Sequence, residues 1–163
     1  MNTAQLKLQQ SIEVKVQPRY LPEQSNEELA EYTFAYTVRI ANNSEQSVQL
    51  LARHWIITDG NNTIREVEGE GVVGQQPDIM PGESYSYSSG AILSTKTGTM
   101  EGSYKMRSFE GVDFNVAPLR RVALFPTSAG NYEVGVLAVS CDIPQQRGRR
   151  GSLLEDFFAG DPF

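Results

Sequence analysis

Apolar and polar residues alternate with a period of two through most of this chain, a pattern that predicts strands separated by short turns. The clearest run is Tyr32 to Ile40: Tyr32, Phe34, Tyr36, Val38 and Ile40 share one face, and Thr33, Thr37 and Arg39 take the other. Ile12 to Val16 alternates in the same way and predicts a first strand, ended near Pro18 and Pro22 at an edge or a turn. Val48 to Asp59 contains the single Trp and the single His. There Leu51, Trp55 and Ile57 are expected on one face, with Arg53 in the same register. Gly60-Asn61-Asn62 is turn chemistry, because Gly and Asn tolerate positive φ, and Thr63 to Glu68 then alternates again. Tyr85 and Tyr87 alternate with serines. Met100, Gly102, Tyr104 and Met106 alternate with Glu101, Ser103, Lys105 and Arg107, and Val112, Phe114 and Val116 make a further short strand.

That is about seven strands with turn signals every ~10 residues and no convincing helix, which predicts an all-β, antiparallel β-sandwich. Strands this polar on one face suit antiparallel pairing better than a parallel sheet covered on both sides. Trp55, on the third strand, is expected to pack between the two sheets. Residues 1–11 carry no strong pattern and are expected as a flexible lead-in. Glu23 to Glu31 is acidic, lacks an apolar face and predicts an exposed loop with at most one helical turn.

The 163 residues carry a formal net charge of -6. That balance disfavours a nucleic-acid binder, which needs clustered Lys and Arg to neutralise phosphates. No run reaches the ~20 apolar residues of a membrane span. The start, M-N-T-A-Q-L-K-L-Q-Q, lacks the apolar core of a secretory signal. Cys141 is the single cysteine, so no intrachain disulfide is available. Together these features lead to the expectation of a cytoplasmic protein.

Several long motifs stand in order: R-Y-L-P-E-Q-S (Arg19 to Ser25), Y-T-F-A-Y-T-V-R-I (Tyr32 to Ile40), L-L-A-R-H-W-I-I-T-D (Leu50 to Asp59), V-E-G-E-G-V-V-G-Q-Q-P (Val67 to Pro77), P-G-E-S (Pro81 to Ser84), S-S-G (Ser88 to Gly90) and G-T-M-E-G-S-Y-K-M (Gly98 to Met106). Over about Ile12 to Val116 the chain closely resembles the ApaG family. The resemblance implies a fibronectin-III/immunoglobulin-like sandwich over residues 12–119. It also implies a link to cobalt and magnesium tolerance, and a role as a partner-binding module like that of relatives carried inside F-box and polymerase-interacting proteins. Arg120 to Ile143 continues with two strand-like runs around a Ser-Ala-Gly-Asn turn, and a Phe-rich segment follows to Phe163. Residues 120–163 resemble a sandwich-end hairpin and linker of a BatD-type aerotolerance protein. Residues 120–143 are therefore expected as an additional β-hairpin, which must borrow an edge, self-associate or stay loosely ordered. Residues 144–163 are expected as a flexible tail.

Gly69, Gly71 and Gly74 spell G-x-G-x-x-G. A dinucleotide site needs a helix after such glycines, its N-terminus holding the pyrophosphate. Pro77 closes the segment instead, and Glu66, Glu68 and Glu70 would repel phosphate, so a bulged strand or tight loop is the expectation. The three glycines remain candidate ligand-binding residues. His54 with Glu66, Glu68 and Glu70 is the candidate metal set, since three carboxylates at period two present hard oxygen ligands on one face. The plainer reading is a structural His beside Trp55 and a charged edge that resists aggregation. His54 and Cys141 fall in segments of different apparent origin and make no dyad, and no G-x-S-x-G elbow occurs. Arg147-Gly148-Arg149-Arg150-Gly151 is a small basic patch, and Leu153, Leu154, Phe157 and Phe158 form an apolar cluster suited to docking or to packing on the parent domain. The expected function is a non-catalytic module, with no cofactor, that binds a protein partner through an edge strand or the loops at Gln17 to Gln24 and Gly69 to Pro77. The alternative is a small-ligand binder for a divalent cation or a pyrophosphate-like anion at the acidic glycine loop.

Overall fold

The alternating runs pair into two antiparallel sheets. The computed structural model describes residues 2–118 and 121–126. Within them α1 (Thr3–Ser11) is followed by β1 (Ile12–Tyr20), a 3-10 turn at Pro22–Gln24, β2 (Tyr32–Asn42), β3 (Val48–Asp59), β4 (Ile64–Glu70), β5 (Asp78–Ile79), β6 (Ser84–Leu93), β7 (Gly98–Ser108), β8 (Asp113–Val116) and β9 (Val122–Leu124). One sheet has the order β1-β2-β6. The other runs β4-β3-β7-β8, with β5 added to β3 and β9 to β7. The expected β-sandwich is what forms. Phe34, Tyr36, Val38 and Ile40 of β2 point inward and are buried, as are Met100, Tyr104 and Met106 of β7. Pro18 lies within β1, an edge strand, where its missing N–H removes no ladder bond.

Trp55 sits between the sheets with no exposed surface. Its ring meets Tyr36 of the opposite sheet at 6.0 Å between centroids and Tyr104 edge-on at 5.8 Å. It pairs across the ladder with Gly102, where a Cβ would collide with the indole ring and the His54 carbonyl. Glycine is needed there to let the ring lie flat on its neighbour strand.

Two sequence expectations are corrected. Leu50, not Leu51, enters the core, because the β3–β7 register slips between Leu50 and Ala52. A bulge adds one residue to the strand and swaps its faces, so even positions point inward before it and odd positions after it. Residues 3–11 also form a helix where a patternless lead-in was expected. Its start is a capping box: the Ala4 N–H donates to Asn2 Oδ1 at 2.7 Å and the Asn2 N–H to Gln5 Oε1 at 3.0 Å. The helix lies against β8, buries Leu8 and donates from Gln5 Nε2 to the Asp113 carbonyl at 2.9 Å.

At one end of the sandwich Asn42, fully buried, ties three segments together. Its Nδ2 donates to the Gln46 and Ile79 carbonyls, each at 2.9 Å, and its Oδ1 accepts from the Ser44 N–H and hydroxyl. β9 pairs with Gly98 to Met100 of β7 and buries Leu124, so part of the stretch read as an added hairpin borrows an edge of this sheet. The rest of that stretch, and the tail, lie outside the described residues.

Three buried tyrosines, Tyr36, Tyr87 and Tyr104, surround Trp55, and the Tyr87 and Tyr104 hydroxyls share a hydrogen bond. The Trp55 indole N–H makes no complete hydrogen bond but faces both hydroxyls. Burial, the largest cause in each case, raises all three phenols. Tyr36 and Tyr104 go far above the ordinary range, and Tyr87 reaches about 12. An unfolded tyrosine releases its proton near pH 10, so above that pH the unfolded chain holds fewer protons than the folded one. Stability from this cluster is therefore complete below about pH 10 and falls as the pH rises toward 12, with Tyr87 contributing a slope of up to ~1.4 kcal/mol per pH unit. Urea unfolding from about pH 9 to about pH 11.5 should show this decline, and Tyr87→Phe should make it shallower. Identical slopes in the two proteins would contradict the assignment.

Candidate functional site

The glycine motif lies on the outer edge of the second sheet, where the chain leaves β4 and resumes pairing with β3 as β5. Between them Val72 and Gln75 exchange two backbone hydrogen bonds, at 2.8 and 3.0 Å. Val73 and Gly74 in the middle both have positive φ, 49° and 74°. That is a type I′ hairpin turn. It stands opposite the β3 bulge, whose Leu51 carbonyl accepts from the Gly71 N–H at 2.7 Å and from Gln76 Nε2 at 2.8 Å. Gly71 has φ 62°, and a Cβ there would run into the Gln75 backbone. Gly69 leaves room for the Arg53 guanidinium, which lies over it and donates to the Gly71 carbonyl at 2.8 Å. Each glycine thus has a backbone or packing reason to be glycine. The amides of Gly71, Val72 and Gln75 already have acceptors within the protein, and a short strand, not a helix, follows the motif.

His54, Glu66, Glu68 and Glu70 come together on the solvent side of β3 and β4, with His54 paired to Glu68, Ile56 to Glu66 and Ala52 to Glu70. His54 Nε2 lies 3.6 Å from Glu66 Oε2 and 3.6 Å from Glu68 Oε1. The nitrogen is itself covered and makes no hydrogen bond, while both carboxylates are largely exposed. Glu70 is exposed on the same face. Among the described residues no group of three or more His, Cys, Asp or Glu is arranged to hold a metal ion. On the other side of His54 a hollow of about 370 Å³ opens over Ile56, Glu101 and Ser103, walled by Ala117, Pro118 and Arg121. Arg121 Nε is engaged there with Glu101 Oε2 at 3.0 Å.

Of the two stretches expected as recognition loops, Gln17 to Gln24 is half strand, because Gln17 to Tyr20 belong to β1. Tyr20, within the first, pairs with Phe34, whereas Tyr85, whose hydroxyl lies 3.4 Å from Gln75 Oε1 of the second, pairs with Ile40. Tyr20 thus stands six residues of β2, roughly 20 Å, from the Tyr85 level, and Gln17, opposite Thr37, stands three residues, roughly 10 Å, from it. Cys141, the basic patch at Arg147 to Gly151 and the cluster of Leu153, Leu154, Phe157 and Phe158 lie outside the described residues.

What pattern reading missed is the edge of the first sheet and one turn. β6 is a ten-residue edge strand, S-Y-S-Y-S-S-G-A-I-L, without a charge, a proline or a bulge. The absence of those protective residue types was legible in the sequence, but the strand's place at the edge was not. Phe109, in the β7–β8 turn, is 84% exposed.

A tryptophan clamped between a three-stranded sheet and a larger antiparallel one defines a β-sandwich of the fibronectin-III/immunoglobulin type. The sequence model of the ApaG domain matches residues 22–108, more than half the chain, and the chain belongs to the ApaG family. The ApaG protein of Pseudomonas putida is 52% identical over 111 residues, covering 67% of this chain and 88% of that one. That of Pseudomonas paraeruginosa is 52% identical over 117 residues, covering 71% and 93%. Among solved structures, the ApaA protein of Bordetella pertussis superposes with a TM-score of 0.68 at 47% identity, covering 70% of this chain and 92% of that one. A second X-ray structure, of a structural-genomics target, gives 0.70 at 41% identity, covering 79% and 97%.

If the glycines shape the backbone, their substitutions should differ in cost. Gly71→Ala forces a Cβ into the Gln75 carbonyl at positive φ and should cost several kcal/mol, about 3 or more. Gly74→Ala meets open space and should cost only about 1 kcal/mol, the strain of its φ. Denaturant titration of the two variants checks this; equal costs would contradict it.

Proposed function

We propose that this chain is a non-catalytic binding module that recognises another protein by accepting an extended segment beside β6. One observation carries the reading: over Ser84 to Ser88, β6 is an open edge with no charge, proline or bulge to blunt it. The Asn42 N–H donates to the Glu83 carbonyl, and the Ile92 carbonyl accepts from Arg65 outside the sheet, at 3.1 Å. By the alternation of an antiparallel ladder, the backbone groups of Ser84, Ser86 and Ser88 therefore point away from β2. Among the described residues nothing pairs with them, and their three side chains are exposed. A peptide added there would extend the three-stranded sheet by one strand, its backbone supplying affinity. The hairpin at Val72 to Gln75, reached by Tyr85, would border one end of the groove.

A divalent cation at His54 is the second reading, and it would connect with the cobalt and magnesium tolerance that the family resemblance implies. Its support is the covered, unbonded His54 Nε2 standing 3.6 Å from each of two carboxylates. A third ligand such as Glu70 would have to swing in. The pyrophosphate-like anion has less support, because three of the loop amides are already occupied and the neighbouring side chains are acidic.

Ser86→Pro should remove an outward N–H without touching the core. In capture from a native extract, at least one protein should be retained by the parent chain and lost with Ser86→Pro. Identical sets from both would refute the β6 reading. Calorimetry with cobalt and with magnesium tests the second: saturable heat that disappears in His54→Ala supports it, and no heat at about millimolar metal removes it.

A further inference from the structure

We propose that the sandwich end bearing Met80 and Phe109 docks a basic, amphipathic helix of a partner protein. The proposal rests on the reading as a protein-binding module but uses a surface different from the β6 edge. Phe109 is 84% exposed and Met80 51%, and a large apolar side chain held in water is a natural contact anchor.

Both anchors are held by their turns. Around Phe109, the Ser108 N–H donates to the Val112 carbonyl at 3.0 Å, Gly111 to Ser108 at 2.9 Å, and Phe109 itself to the Ser47 carbonyl at 2.9 Å. Met80 leads into the Pro81-Gly82 turn, closed by Glu83 N–H donating to the Met80 carbonyl at 3.0 Å and fastened by Gly82 N–H to the Asn42 carbonyl at 2.8 Å. A backbone held this way need not be reordered on binding, so only side-chain freedom is lost.

The spacing selects a helix. Val48 pairs with Ile79 on one side and Ser108 on the other, so Met80 and Phe109 follow residues two strand spacings apart, about 10 Å. Seven residues of a helix advance by about the same distance, so one apolar stripe at i, i+3/i+4 and i+7 spans both anchors. The rim selects the charge. Glu45, Asp78, Glu83 and Glu110 are exposed in the same turns or beside them, and none forms a salt bridge among the described residues. The nearby cations Lys105 and Arg107 are both engaged with Asp113. An apolar pair ringed by free carboxylates fits Lys and Arg flanking an apolar stripe, and it repels phosphate-bearing surfaces.

The test is amide NMR of the full chain titrated with a synthetic Lys/Leu helix of about 14 residues, against a Glu/Leu helix of the same length and anionic phosphatidylglycerol vesicles. The expected result is saturable binding of the Lys/Leu helix alone. Its shifts should be confined to Ser44 to Val48, Met80 to Glu83 and Ser108 to Val112. Affinity should fall about tenfold in Phe109→Ser and several-fold in Glu83→Lys or Glu110→Lys. Phe109→Ser removes only an exposed side chain, and an unchanged amide spectrum elsewhere verifies its fold. Equal binding of the Glu/Leu helix or vesicles, shifts spread over the whole acidic surface, or indifference to Phe109→Ser would each overturn the proposal. Ser86→Pro capture is read separately. If capture is lost in that variant while the Lys/Leu helix fails to bind, the docking surface falls and the module reading stands.

Discussion

The packing of Trp55 against Gly102, Tyr36 and Tyr104 is the constraint on which the rest of the sandwich depends. The indole bridges the two sheets and touches aromatics from both. Replacing such a ring by Ala typically costs about 3–5 kcal/mol, a large part of the stability of a domain this size. Its seat requires a glycine on the neighbouring strand, and its neighbours are tyrosines whose hydroxyls must be satisfied in the interior. Tyr87 and Tyr104 solve this by bonding to each other, and their burial is why they resist ionisation.

Placing Trp55 inward has a consequence one turn away. Val48 and Leu50 are buried from even positions, whereas Trp55 and Ile57 are buried from odd ones. The bulge at Leu51 reconciles the two, and it frees a carbonyl that the glycine hairpin supplies with two donors. Arg53, on the inward register after the bulge, reaches out over Gly69 to the Gly71 carbonyl and leaves its cationic head at the sandwich margin. A glycine pattern that resembles a nucleotide cradle on paper is thus the partner of a strand irregularity. The core needs the irregularity, and the irregularity needs glycine.

On the proposed reading as a binding module, recognition falls to what this construction does not use. β6 lies at the end of the smaller sheet and presents serines and an open backbone. The turn end tied by Asn42 projects Met80 and Phe109. One surface offers main-chain hydrogen bonds and the other offers apolar anchors with negative charge around them. Such surfaces suit partners of different shape, and both sit on rigid supports and not on long loops.

The sequence by itself determined the strands, the sandwich and the inward-facing set of β2 and β7, because period-two alternation records which face of a strand meets water. It also carried the family, through long motifs whose glycines and aromatics serve local geometry. Even the missed helix was written locally, in Asn2 and Gln5 three residues apart. Tertiary structure alone decided which strands became edges, that His54 would stand between Glu66 and Glu68, that Leu51 would yield its place to Leu50, and that Gln17 to Tyr20, expected in a recognition loop, would lie within β1. Those outcomes depend on pairing between residues distant along the chain. No periodicity within one strand records its neighbour in the sheet or the register in which the two meet.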